Sequence, residues 1–270
     1  MPLPFAGNPI GKPFIELQSI DSTNKYAMGI IHGDHLPDGQ GEAQHGMAIF
    51  SHEQTAGKGQ RGKSWVSEKG ANIALSILLN PYPLSIQDQF QLSVCVAVSV
   101  HEFFSKYAGD DTKIKWPNDI YWRDRKAGGI LIENVIGGMK SEIGNRKSEI
   151  WKWAVVGMGI NINQTAFSTD LPNPVSLKQI TSKNFELLDL AKELCSILEK
   201  NHQLLKAGKF EDLFIYYQTH LYKNGQPVKL KKDSRVFETT IKGVSTSGQL
   251  ITQHSIEESF EFGEIEWLSK

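Results

Sequence analysis

Cysteine is nearly absent from this chain of 270 residues: there are two, Cys95 and Cys195, far apart and each inside a strongly apolar pattern. Such thiols read as buried side chains and exclude a disulfide scaffold, which favours a reducing compartment. An excess of charge of one sign is missing too. Lysine and arginine total 29 against 30 acids, a net charge of −1, so no overall field draws the protein to nucleic acid or an anionic membrane, and any basic site is local. Long apolar runs are lacking: stretches such as Val94–Val98 fall far short of a membrane span, and Met1–Gly11 has neither the basic start nor the apolar run of a signal peptide. The expected location is the cytoplasm, with no membrane partner. What is present, 40% hydrophobic and 22% charged residues with 24 glycines, is ordinary for a globular protein and excludes a disordered tail, a coiled coil or a collagen-like chain. The length accommodates one large domain and a small appendage.

Alternation of apolar and polar residues predicts strands at Phe14–Ile20 and Asn72–Leu79, the latter with Ile73, Leu75 and Ile77 on one face, and Met47–Phe50 reads as a short apolar strand. Asp21-Ser22-Thr23-Asn24 offers cap chemistry for a helix over Lys25–Ile31, and Ser85-Ile86-Gln87-Asp88 is a capping box opening a helix to about Tyr107, closed by Gly109. Thr112–Trp116, Ile120–Trp122, Gly129–Ile136 and Trp151–Ile162 read as further strands, the first three as an antiparallel meander. Polar loops are expected up to Gln44, over Gly137–Ser148 and over Phe167–Pro174. Leucine spacing predicts helices over Phe185–Leu205 and Phe210–Leu221, and beyond Asn224-Gly225 the period falls to two, with Val228, Leu230, Val236, Phe260, Phe262 and Trp267 in short strands of a small barrel.

The segment Gly57-Lys58-Gly59-Gln60-Arg61-Gly62-Lys63-Ser64 satisfies two phosphate-loop patterns, G-x-G-x-x-G and G-x-x-x-x-G-K-S. Both devices aim a helix N-terminus at the phosphates. Here Trp65-Val66-Ser67-Glu68-Lys69-Gly70 follows, with no helical stripe, so a P-loop NTPase and a dinucleotide fold are set aside. What remains is a glycine loop carrying Lys58, Arg61 and Lys63, whose amides and cations suit a polyphosphate. Ordering such a loop costs about 1–2 kcal/mol per residue, so it is expected to stand open as a lid until a ligand offsets that cost. Read alone, it is equally a solvated basic turn.

Five motifs stand in order: Ser22-Thr23-Asn24; Gln54-x-x-Gly57-x-Gly59-x-x-Gly62-x-x-Trp65; Lys115-Trp116-Pro117-Asn118-Asp119; Arg125-Lys126-Ala127-Gly128-Gly129-Ile130-Leu131-Ile132-Glu133; and Gly157-Met158-Gly159-Ile160-Asn161. Together they resemble the biotin–protein ligases, and with the terminal barrel the likeness covers nearly the whole chain. The resemblance implies an α+β catalytic domain, 1–222, of the class II aminoacyl-tRNA synthetase/biotin synthetase-like type, with a mixed, largely antiparallel sheet. It implies a C-terminal SH3-like small β-barrel, 223–270. It also implies an AMP-forming enzyme that joins biotin to ATP with Mg²⁺ and passes biotin from biotinyl-5′-AMP to a lysine of a biotin carboxyl carrier domain of a biotin-dependent carboxylase.

By the same resemblance Lys126, Arg61 and Asp119 are catalytic. Ser22, Thr23, Asn24, Gln54, Gly57, Lys126, Gly128 and Gly129 contact biotin, and Lys58, Gln60, Arg61, Lys63, Trp65, Lys115, Asn118 and Asn161 contact the nucleotide. No protein ligand for a metal is assigned. These residue types suit the chemistry, because two anions brought together in a dry site repel by several kcal/mol unless cations lie between them. Read without the family, Ser22 and Thr23 are helix caps, Trp65 a core side chain, the glycine pairs simple bulges and Asp119 an Asx turn. One departure stands out: Gln60 replaces the arginine usual in the family's loop, which places the phosphate grip on Arg61 and Lys126. Only 21 residues precede Ser22, too few for a helix-turn-helix module, so no DNA partner is expected. The other readings are a lipoate ligase or octanoyltransferase, a P-loop NTPase, and a non-catalytic biotin-binding adaptor. Whether the protein is a monomer or a homodimer is left open.

Overall fold

β-Branched and aromatic stretches between turn signals form strands, and stretches with apolar residues every three or four positions form helices. The computed structural model describes residues 8–33, 42–139, 148–171 and 173–268. Phe14–Leu17 (β1) leads into the helix Thr23–His32 (α1), capped by Ser22, whose Oγ accepts from the Lys25 amide at 3.4 Å. Ala48–Ser51 (β2) and Asn72–Leu79 (β3) follow, and the Ser85/Asp88 capping box opens the long helix Gln89–Ala108 (α2) through a single 3₁₀ turn. Thr112–Lys115 (β4), Asp119–Trp122 (β5), Arg125–Met139 (β6) and Ser148–Asn161 (β7) make the meander. After a short helix, Leu177–Thr181 (α3), come Leu187–Lys206 (α4) and Phe210–Thr219 (α5). The expected elements are present with ends shifted by a few residues. One shift matters: β6 begins at Arg125 instead of Gly129 and takes Lys126 into the sheet.

The seven strands lie in the order β1-β2-β3-β7-β6-β5-β4, with β1 and β2 parallel and the other neighbours antiparallel. Alternation alone suggests that β3 buries one face; in fact all of it is buried. Ile73, Leu75, Ile77 and Leu79 share a core with α2 and α4, while Leu78 packs with Ile49, Val155 and residues Ala27 and Ile30 of α1 on the other side. Both cysteines are buried and unbridged, as expected. Among the described residues no helix is long and apolar enough to cross a membrane.

The C-terminal strands Pro227–Lys232 (β8), Arg235–Val244 (β9), Leu250–Gln253 (β10), Glu257–Phe260 (β11) and Glu266–Leu268 (β12) form an antiparallel sheet in the order β11-β10-β9-β8-β12. Ile241, Val244 and Leu250 join the main core. Val236 lies in β9 as the period-two pattern expects, whereas Phe262 falls between β11 and β12 rather than in a strand; the two are 49% and 48% exposed. The start of the chain to residue 7, residues 34–41 of the early polar loop, residues 140–147 of the excursion, and position 172 within the Phe167–Pro174 loop lie outside the described residues. At the edges of the excursion Gly137–Met139 and Ser148 are paired strand.

Candidate active site

Residues directly opposite one another on adjacent strands share a face. The register therefore lays Lys115, Asp119, Gly129, Gly159 and Ala74 in one line across β4, β5, β6, β7 and β3. The middle of that line has no side chains, which leaves a flat floor. On this floor the Trp65 ring rests over Gly159, where an added Cβ would come within 2.6 Å of the indole. One strand away, over Gly129, the Lys126 ammonium meets Asp119 Oδ1 at 2.7 Å.

Lys126 reaches this face through an irregularity. Ile120 pairs with Gly128 but Tyr121 pairs with Lys126, so Ala127 is an extra residue, and the bulge turns Lys126 to the side of Asp119. Gly128 falls on the opposite, core face among Ile73, Ile120 and Ile160, all fully buried. The backbone of Lys126 is clamped: its N–H donates to Asn173 O at 2.9 Å and its carbonyl accepts from Val175 N at 2.8 Å. Asn161 also donates to that carbonyl at 3.3 Å and to Val175 O at 3.1 Å. The expected nucleotide contact Asn161 thus spends its amide N–H groups on the backbone that holds Lys126. Asn118 likewise donates to Ile130 O at 2.6 Å and stiffens the turn before Asp119.

A second line, Ser76, Gly157 and Leu131, lies beside the first. Gly157 is required there, since its Cβ would stand 2.3 Å from Asn24 Oδ1. Ser76 donates to Asn24 Oδ1 at 2.6 Å or to Thr23 Oγ1 at 2.7 Å, Gln54 Oε1 accepts from Thr23 N at 2.8 Å, and Asn24 Nδ2 donates to Glu133 at 2.8 Å. Ser22, Thr23 and Asn24 are each less than 5% exposed. The N-terminus of α1 is therefore a buried polar network, in which cap and candidate ligand contact coexist.

The glycine loop folds back on itself rather than standing open. Trp65 N donates to Gly57 O at 2.9 Å and Gly59 N to Lys63 O at 2.7 Å, while Lys58 bridges to Ser64. Gly57 is forced by this doubling back, because its Cβ would meet Trp65 O at 2.4 Å. No helix follows Ser64, in line with setting aside the two phosphate-loop folds. The loop walls a cavity of about 620 Å³ lined in part by Gln54, Lys58, Arg61, Lys63, Trp65 and Glu133. Lys58 lies 3.8 Å from Glu133, and Arg61, in a left-handed conformation at φ 55°, donates to Gly263 O at 3.1 Å. Gln60 opens the short 3₁₀ turn that carries Arg61.

The structure gathers the loop residues about the cavity and sets Lys126, Asp119 and Lys115 in line along the sheet face beside it. Lys115 is boxed in: it donates to Tyr121 Oη at 2.9 Å and lies 5.2 Å from the Trp267 ring. Burial pulls its amine down to about 8; Asp119 opposes the shift, and Lys126 and Lys63 add to it. Sequence reasoning missed Ser76, whose one signal is a hydroxyl in an otherwise apolar strand, and gave no role to Glu133. It also missed Tyr222 and Trp267, for which no local signal exists. The indole N–H of Trp65 is buried without a partner among the described residues, a donor available to a ligand. Among the described residues no group of three or more His, Cys, Asp and Glu side chains is placed to hold a metal ion.

The biotin/lipoate A/B protein ligase family matches over residues 17–144. A bifunctional ligase/repressor BirA of Salmonella typhimurium is 30% identical over 249 residues, 88% of this chain and 68% of that protein. A biotin–[acetyl-CoA-carboxylase] ligase of Paracoccus denitrificans is 24% identical over 87% of this chain and 92% of its own length. Among solved structures, the biotin protein ligase of Aquifex aeolicus in complex with biotin and ATP superposes with a TM-score of 0.74 at 22% identity, covering 96% of this chain and all of that one. The fold, the motif order and the shared identity along the chain agree: the protein belongs to the biotin/lipoate A/B protein ligase family.

Proposed function

We propose that the protein activates biotin with ATP to biotinyl-5′-AMP, releasing pyrophosphate, and transfers biotin to a lysine of a biotin carboxyl carrier domain. The observation that carries this reading is the Lys126–Asp119 pair standing over a glycine floor one strand from the Trp65 ring. In the first step the biotin carboxylate oxygen attacks the α-phosphorus and the bond to pyrophosphate breaks. Lys126, held by its clamped backbone, supplies positive charge between the two anions, and Asp119 fixes where that charge points. Lys58, Arg61 and Lys63 on the loop offer cations to the polyphosphate, and Trp65 a ring to the purine. Thr23, Asn24 and Gln54 present the mixture of donors and acceptors that a ureido ring needs once buried. Mg²⁺ would enter with the nucleotide, bound through phosphate oxygens and water as it commonly is.

In the second step the carrier amine attacks the acyl carbon and AMP leaves. The loop, already folded over the cavity, suits the protection of a hydrolysable anhydride until the carrier arrives. The seven-stranded part, to residue 222, is the catalytic domain in this reading, and the five-stranded part from 223 a domain packed on it. Incubation with biotin, MgATP and a carrier domain tests the whole: pyrophosphate release that depends on biotin, with biotin added to one carrier lysine, is expected. Turnover with lipoate or octanoate instead of biotin would move the protein to the other branch of its family.

A further inference from the structure

The Lys115 ammonium stands in an aromatic box. Its Nζ lies 4.3 Å from the Tyr121 ring centre, 5.7 Å from that of Tyr222 and 5.2 Å from that of Trp267, and it donates to Tyr121 Oη. The walls come from three parts of the chain: β5, the segment after α5, and β12 of the C-terminal sheet. They brace one another, with Tyr222 5.1 Å from Tyr121 and 5.9 Å from Trp267 between ring centres. Tyr222 Oη in turn donates to Asp124 at 2.7 Å, and Lys223 pairs with the same carboxylate at 2.8 Å. Cation–π contacts hold such an ammonium in place.

Across the strand pair from Lys115, in register, is Asp119, and Asp119 holds Lys126. Asp119 is therefore in contact with one cation and within the field of a second. With its charge shared, the carboxylate holds Lys126 less tightly, and Lys126 is freer to follow the reacting anions. We propose that Lys115 is a positioning residue: caged by Tyr121, Tyr222 and Trp267, it serves as the second counter-ion of Asp119 and so releases Lys126 for charge stabilisation in adenylate formation. The C-terminal sheet, through Trp267, takes part in the chemistry by holding this cage closed.

The proposal rests on the biotin ligase reading, so the experiment first establishes biotin-dependent exchange of pyrophosphate into ATP by the unaltered protein. Absence of that exchange would overturn the reading and the proposal together. With it in place, the groups facing Lys115 are Asp119 and Tyr121 on β5, Asp124 in the next turn, Lys126 on β6, Lys63 on the loop and Tyr222 after α5. Of the group, Lys115 is the one whose amine is drawn down to about 8, so the turnover rate should fall through an alkaline limb near that pH. K115M is expected to lower the turnover rate by about ten-fold, to remove the limb and to leave biotin affinity at its original value. K115R should restore most of the rate and carry the limb upward beyond the range of the assay. Opening the cage with W267A rehydrates the ammonium and should move the limb toward the ordinary lysine value. If K115M fails to fold, the limbs of K115R and W267A still decide. A limb unmoved in K115R and W267A, or K115M turning over at the original rate, would overturn the proposal.

Discussion

The Lys126 and Asp119 side chains are 33% and 22% exposed, and an ion pair so open to water contributes about 0–1 kcal/mol to stability. Its worth lies in aim, which the bulge at Ala127 and the clamped carbonyl supply. Lys126→Ala should therefore leave the unfolding midpoint almost unchanged and reduce adenylate formation by about 10²-fold or more, read by denaturation and by pyrophosphate exchange on the same sample. A normal exchange rate would remove Lys126 from the chemistry. The glycine floor makes a second claim at this scale. In Gly159→Ala the new methyl would lie 2.6 Å from the Trp65 ring. Either the ring leaves its seat or the strands part, and overpacking of this kind costs about 1–3 kcal/mol. The variant should lose nucleotide affinity and quench differently at the Trp65 indole. Unaltered ATP binding and fluorescence would show that the ring does not need that floor.

At the scale of elements, α2 and α4 each carry one histidine into the core. His101 on α2 sits with Nε2 3.0 Å from Thr112 O and Nδ1 3.0 Å from Tyr216 Oη, a pairing that suits the neutral ring with its proton on Nε2. His202 on α4 is buried beside His45, ring centres 5.3 Å apart. Burial lowers both to about 4 from an ordinary 6.5, with His220 and Lys113 adding to the shift at His101, and His45 and Lys206 at His202. Between those two values the unfolded chain binds protons that the native one does not, so stability falls as the pH drops through this window. The loss is at most about 3 kcal/mol per histidine and is complete below the native values. The melting temperature should decline steadily from neutral pH to about pH 4 and decline less in His202→Gln; a flat profile would mean that these rings are already solvated. Strands and helices were legible because period two and helical spacing are local properties of the chain. The bulge was not. In Lys126-Ala127-Gly128-Gly129 nothing marks which residue is the extra one, and that choice decides whether Lys126 faces Asp119 or the core. The same limit explains Gly128: two adjacent glycines look alike until the register with Ile160 assigns one to each face.

For the molecule as a whole, the motif residues were recognisable in order along the chain, but the neighbours that tune them were not. Tyr222 meets Lys115 because the segment after α5 pairs with β4, Tyr222 N donating to Ile114 O at 2.8 Å, and Trp267 because β12 of the C-terminal sheet packs beside it, contacts between segments more than a hundred positions apart. The packing there is continuous with the core. Ile241, Val244 and Leu250, each 2% exposed or less, belong to the same apolar cluster as Trp116, Tyr217 and Leu221. Trp116 Nε1 donates to Gly248 O at 2.8 Å, and Gln218 Oε1 accepts from Val244 N at 3.1 Å. Uncovering a buried side chain of this size costs about 1.5–3 kcal/mol, and a whole protein holds only about 5–15 kcal/mol in reserve. Removing residues 223–270 should therefore cost the catalytic part several such side chains, lowering its melting temperature by roughly 10 °C or more. The intact chain should melt in one transition, with tryptophan fluorescence and far-ultraviolet circular dichroism coinciding. Two separated transitions in the full chain, or a truncated protein as stable as the parent, would show instead that the C-terminal sheet is an independent module that merely rests on the catalytic part.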